Sequence, residues 1–319
     1  LGRSVSARNG NRRGRRPSRN APDPGIEERI VFAETGDGLD LRGALIRPAG
    51  AAAPSGPLLL WVHTRQQGFA EPEYVTIGRL MAARGWHFLT VETRGHDFGA
   101  WFRTPDGPVL QGSAWERFSD CVLDLDAWVE AARDMGYDRL VLAGHGFGGA
   151  KVLQFQAQRQ APEVAAVVLA SSGSSVRDKL PQHLSELAQR MVAEGRGLDL
   201  LPWSTGEDNY ASTVSAEYYV SRSIMRKELY GTPALPPAIA RVRCPVIAWF
   251  GRQEDRPNRR VAEFLDWLSA NAVQAPVVDA QLIDGLHFFY KGREKAVVEH
   301  LAASLRRVGL APGRAPEAA

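Results

Sequence analysis

Six short apolar runs alternate with stretches of helical period, and this alternation leaves the chain few ways to fold. LLLWVH (58–63), WHFLTVET (86–93), RLVLAG (139–144), AAVVLASS (165–172), CPVIAWFG (244–251) and APVVDAQLI (275–283) read as strands, several of them apolar without interruption, as strands covered on both faces are. Between them, helices are expected from Pro72 to about Arg84, from Trp115 to near Gly136, over KVLQFQAQRQ, around Val261 to Leu268, and near 292–308. Repeated β-α-β units of this size predict an α/β fold whose mostly parallel sheet is covered by helices. An antiparallel hairpin at 29–47, turning at Gly36-Asp37-Gly38, precedes the series, and the glycine-rich 95–112 reads as turns. About seventy residues between Ser172 and Cys244 lack a buried strand and read as a helical insertion able to cover the C-terminal edge of the sheet. The expected organisation is a tail (1–25), a first core part (26–172), a lid (173–240), a second core part (241–308) and a flexible end (309–319).

Charge and cysteine content narrow the functional classes. Residues 1–25 carry seven arginines against Asp23 alone, so the net charge of +3 is a property of the tail, and residues 26–319 sum to −3. The tail is rich in Gly, Pro, Asn and Arg without apolar periodicity and is expected to be disordered. It lacks the interleaved aromatics or second basic patch of a nucleic-acid binder, so no nucleic-acid partner is expected. Cys121 and Cys244 stand far apart outside any ligand cluster, which argues against a disulfide framework and a zinc site. No apolar run reaches a membrane span, and a cytoplasmic protein acting on a small organic molecule, without metal or cofactor, is the expectation.

The sharpest local signal is the strand RLVLAG running into Gly144-His145-Gly146-Phe147-Gly148-Gly149 and then a helix. This resembles the nucleophile elbow, G-x-S-x-G, of the α/β-hydrolase family, with Gly146 at the nucleophile position. Glycine has no atom that can form an acyl-enzyme. A dinucleotide loop is the competing reading, but the motif does not follow the first βαβ turn and no acidic residue is placed for a ribose. Four other stretches resemble the same family in the same chain order. LLLWVHTRQQG resembles the strand and loop that supply an oxyanion N–H, with His63 at the usual histidine and Thr64 in place of the usual glycine. VETRGHDFG resembles the loop in which Arg94 and His96 act structurally. VIAWFGRQEDRPN and LIDGLHFFYKGREK resemble the loops bearing the acid and the histidine; His287 matches the latter, while Asp255, preferred on residue type, and Glu254, on spacing, both match the former.

The resemblance covers residues 27–308 and implies a catalytic pair of His287 with Asp255 or Glu254, and an oxyanion hole built from the N–H groups of Thr64 and Phe147. His63, Arg65, Gln66, His145, Trp203, Tyr218 and Tyr219 are candidate substrate contacts. The leading functional expectation is hydrolysis of an ester, thioester, lactone or amide by His287-activated water, which the space left at Gly146 would admit. The alternatives are a non-hydrolytic isomerase, cyclase, epimerase or lyase with His287 as base, a serine hydrolase inactivated by serine-to-glycine replacement, and a ligand-binding pseudo-enzyme. A serine introduced at 146 is expected to enter the elbow at modest cost and restore covalent reactivity.

Overall fold

The computed structural model describes residue 23 and residues 25–51, 56–173, 181–202, 213–256 and 259–313. An eight-stranded sheet runs in the order β1-β2-β4-β3-β7-β8-β9-β10, from β1 (Ile26–Glu34), β2 (Asp40–Pro48), β3 (Leu58–Val62), β4 (His87–Val91), β7 (Leu140–His145), β8 (Val164–Ala170), β9 (Val246–Gly251) and β10 (Val278–Ile283). Strand β2 is antiparallel to both of its neighbours, and β3, β4, β7, β8, β9 and β10 pair in parallel. All five residues of β3 and all six of β7 and β9 are buried, as their apolar sequence, interrupted only by His145 at the end of β7, requires.

Helices cover both faces. On one, α1 (Pro72–Ala82) and α7 (Glu294–Arg307) bury Tyr74, Ile77, Met81, Val297 and Leu301 against Trp61, Phe88 and Trp249. On the other, α2 (Cys121–Asp134), α3 (Phe147–Arg159) and α6 (Val261–Asn271) pack Trp128, Phe155 and Phe264 over Leu60, Leu142 and Phe250. The insertion contributes α4 (Gln182–Ala193) and α5 (Ala216–Tyr230), the latter capped by Ser215, whose hydroxyl accepts the Tyr218 N–H at 3.1 Å. This is the α/β-hydrolase arrangement with a helical lid that the sequence predicts.

The stretch 95–112 differs from its expectation of simple turns. It forms a second, two-stranded sheet from β5 (Ala100–Thr104) and β6 (Gly107–Gln111). Because the six parallel strands share one direction, the chain segments that leave them emerge on the same edge. That edge gathers Thr64 after β3, Thr93 after β4, Gly146 after β7, Ser171 after β8, Glu254 after β9 and His287 after β10.

Candidate active site

Gly146 turns the chain from β7 into α3 at φ 52°, ψ −118°, a conformation that side chains rarely adopt. Close approach adds a second constraint, since a Cβ on Gly148 would strike the carbonyl oxygens of Val62 and His63. The elbow is therefore built as a tight strand-to-helix turn. The space beside Gly146 is occupied from within the chain: a Cβ there would overlap Thr64 Oγ1 and lie 2.8 Å from Thr64 Cβ and 2.9 Å from Phe288 Cζ.

Thr64 engages both expected oxyanion donors. Its Oγ1 accepts the Phe147 N–H at 3.1 Å, and its own N–H donates to the Tyr74 hydroxyl at 3.2 Å. That hydroxyl also lies 2.7 Å from His145 Nδ1, while His145 Nε2–H donates to the Phe288 carbonyl at 2.7 Å. His145 is sandwiched by Phe288 and Tyr290, with both ring centroids at 4.6 Å. His63 is equally committed: its Nε2 accepts the Thr93 N–H at 3.1 Å, so Nδ1 carries the hydrogen that bonds the Thr64 carbonyl at 2.8 Å. Neither imidazole among these candidate contacts has a ring nitrogen left for a substrate.

Beneath the Thr64 loop lies an ion pair that sequence reading missed. Lys151 Nζ is 2.6 Å from Glu116 Oε2 and donates to Thr93 Oγ1 at 2.8 Å, and both side chains are 1% exposed. Thr93 Oγ1 is in turn 3.0 Å from His63 Nε2, so hydrogen bonds run from Glu116 through Lys151, Thr93 and His63 to Thr64. Arg94 is held by Asp124 and Asp37 at 2.8 Å each, a structural role as expected from its loop. His96 Nδ1 is 3.1 Å from the exposed Asp97 carboxylate.

The two acidic candidates part company. Glu254 is buried; its Oε1 accepts the Ser171 hydroxyl at 2.7 Å and the Gly251 N–H at 2.8 Å, and its Oε2 is 3.2 Å from Arg259. Burial raises its carboxyl above the usual range, opposed by Arg259, by these hydrogen bonds and by the His287 charge. Asp255 is exposed, and among the described residues its carboxylate accepts only the Ala262 N–H, at 3.4 Å. Of the two, Glu254 is the buried one and has the His287 charge among its neighbours. His287 itself is half-buried, and its ring makes no hydrogen bond among the described residues.

The lid reaches the site through Arg65, whose guanidinium carbon lies 5.2 Å from the Tyr218 ring centroid, a cation–π contact. Gln66 adopts a left-handed φ of 62° at the turn of the same loop. Tyr219 is buried in the lid, with its hydroxyl 3.4 Å from the Pro181 carbonyl, and Trp203 lies outside the described residues. No group of His, Cys, Asp and Glu able to hold a metal occurs among the described residues, and no described helix is long and apolar enough to cross a membrane.

Burial of the two imidazoles has a pH consequence. Desolvation lowers both His63 and His145 to about 3. Below the unfolded value near 6.5, the unfolded chain takes up protons that the folded chain refuses, so stability falls as pH drops from about 6.5 toward 3. Each ring contributes a slope of at most about 1.4 kcal/mol per pH unit in that window. Guanidinium unfolding between pH 7.5 and 5 reads this directly, and a stability that is flat or rises toward pH 5 would refute the assignment of both rings as buried and neutral.

Comparison with known proteins gives the same architecture. The family model described as serine aminopeptidase, S33, matches residues 69–240, just over half of the chain. Est1E from Butyrivibrio proteoclasticus, in a structure with bound ferulic acid, superposes with a TM-score of 0.60 at 16% identity, covering 87% of this chain and 98% of that one. DcsB in complex with its substrate analogue gives 0.64 at 14% identity over 88% and 100% of the two chains. The α/β hydrolase GrgF from Penicillium sp. sh18 gives 0.62 at 17% identity over 88% and 99%. No curated protein matches the sequence.

Proposed function

This chain belongs to the serine aminopeptidase S33 family of the α/β-hydrolases, and we propose that it hydrolyses an ester, thioester, lactone or amide of a small organic molecule with His287 as its acid–base centre and no covalent role for residue 146. The observation that carries this reading is the elbow itself. Gly146 keeps the strained turn at the start of α3, beside the loop of His287, although it supplies no reacting atom. In this reading His287 takes the proton of an oxygen nucleophile, in the simplest case water, and passes it to the leaving group. Glu254, which feels the charge of His287 across the edge, stabilises the imidazolium. The Phe147 N–H becomes an oxyanion donor once the Thr64 hydroxyl rotates off it. The ferulic acid bound to Est1E and the substrate analogue bound to DcsB support a small organic substrate.

Steady-state hydrolysis of 4-nitrophenyl esters of graded acyl length tests the proposal. His287→Ala is expected to lower turnover by at least about 10²-fold. Unchanged turnover in that variant would remove His287 from the mechanism. The lack of a reacting atom at Gly146 favours one second reading, proton transfer without hydrolysis. It is distinguished by deuterium entering a substrate from solvent with no acid released.

A further inference from the structure

We infer that the nucleophilic oxygen of this chain has moved from residue 146 to Thr64, an inference that rests on the hydrolytic reading and replaces water in its first step. A Cβ at 146 would overlap Thr64 Oγ1, so the threonine hydroxyl stands where a side chain on the elbow would begin. It accepts the N–H of Phe147, the first residue of α3, at 3.1 Å. The positive end of that helix and this N–H favour an alkoxide over a neutral hydroxyl.

The threonine is also held in register. Its N–H is fixed by Tyr74 and its carbonyl by His63, so the backbone that carries the hydroxyl is tied down on both sides. Among the described residues, no acceptor takes the hydroxyl hydrogen, although the residue is only 6% exposed. The ring of His287, on the same sheet edge, likewise makes no hydrogen bond among them, and the ring of its neighbour Phe288 already enters the elbow. An uncommitted hydroxyl and an uncommitted imidazole thus share one edge.

The chemistry balances without a co-reactant other than water. Thr64 Oγ1 attacks the substrate carbonyl carbon as its proton passes to His287; the bond to the alcohol, thiol or amine then breaks, and the leaving group takes that proton. The acyl-threonine ester is next attacked by a water that His287 deprotonates, and Thr64 departs with the proton as the acid is released. As the bond from Oγ1 to the carbonyl carbon forms, the Phe147 N–H passes from Oγ1 to the developing oxyanion beside it.

Reaction with a fluorophosphonate, peptide mapping of the adduct by mass spectrometry, and turnover of 4-nitrophenyl butyrate form the test. The adduct is expected on Thr64, retained in Thr64→Ser and lost in Thr64→Val, with turnover of the latter reduced at least about 10²-fold. The melting temperatures of both variants accompany the assay; if Thr64→Val does not fold, the adduct map of the native chain and of Thr64→Ser decides alone. Turnover that depends on His287 but leaves no adduct on Thr64 overturns the inference and leaves the His287-water mechanism standing. Neither turnover nor adduct overturns both.

Discussion

Gly146→Ser is expected to destabilise the fold by about 2–6 kcal/mol, the sum of a strained φ for a side-chain-bearing residue and the overpacking of an occupied elbow. The new Cβ has to displace the Thr64 hydroxyl and push Thr64 Cβ and the Phe288 ring, both already within 3 Å of its position. Phe288 can yield at its ring tip. Thr64 cannot yield as readily, because its N–H and carbonyl are both bonded. Trimming it is therefore expected to rescue the serine: Thr64→Gly combined with Gly146→Ser recovers the overpacking share, with a favourable coupling of about 1–3 kcal/mol in the double-mutant cycle, leaving only the φ strain. Chemical denaturation of the four proteins measures this. Additive losses would mean that the two side chains do not compete for one space.

Lys151→Met is expected to cost about 3–5 kcal/mol, because it strands the Glu116 carboxylate in a site that water does not reach. One oxygen of Glu116 already has no hydrogen-bond partner among the described residues, and the other depends on Lys151 at 2.6 Å. Replacing both members, as in Lys151→Met with Glu116→Leu, is expected to restore most of the loss, since the desolvation of two charges is no longer required. The same pair supports Thr93 and, through it, His63. The single variant should therefore loosen the Thr64 loop as well, read as faster amide exchange at Thr64 and Phe147. A single variant within about 1 kcal/mol of the native chain would show that the pair is hydrated in solution.

The sheet was legible because its strands are short apolar runs that alternate with stretches of helical period, and the tight turn at Gly146 was legible because a glycine cluster stands there between a strand and a helix. The hairpin of β5 and β6 was not. Trp101 and Val109 stay exposed there and Phe102 alone of the two strands is buried, so no continuous buried face imposes the alternation by which a strand is recognised. The contents of the elbow were equally hidden. Thr64 meets Phe147 across 83 positions of sequence, and Lys151 meets Glu116 across 35. In sequence Lys151 is one more polar residue of an amphipathic helix, and Tyr74 one more apolar residue of α1. His63 and His145 read as pocket residues because of their neighbours in the motifs, whereas packing turns their ring nitrogens onto backbone and hydroxyl groups. The preference for Asp255 rested on residue type, whereas the chain turns after Glu254, which buries the longer side chain at the end of β9 and leaves Asp255 outside.

The claim on which the account depends is that the elbow is filled by a threonine from the neighbouring loop. A crystal structure of the unliganded protein measures it through the χ1 rotamer of Thr64 and the separation of its Oγ1 from the Phe147 nitrogen. The account predicts a hydrogen bond close to 3.1 Å, with the Phe288 ring against Gly146. A Thr64 hydroxyl turned away from α3, with the Phe147 N–H free above an open Gly146, would contradict it.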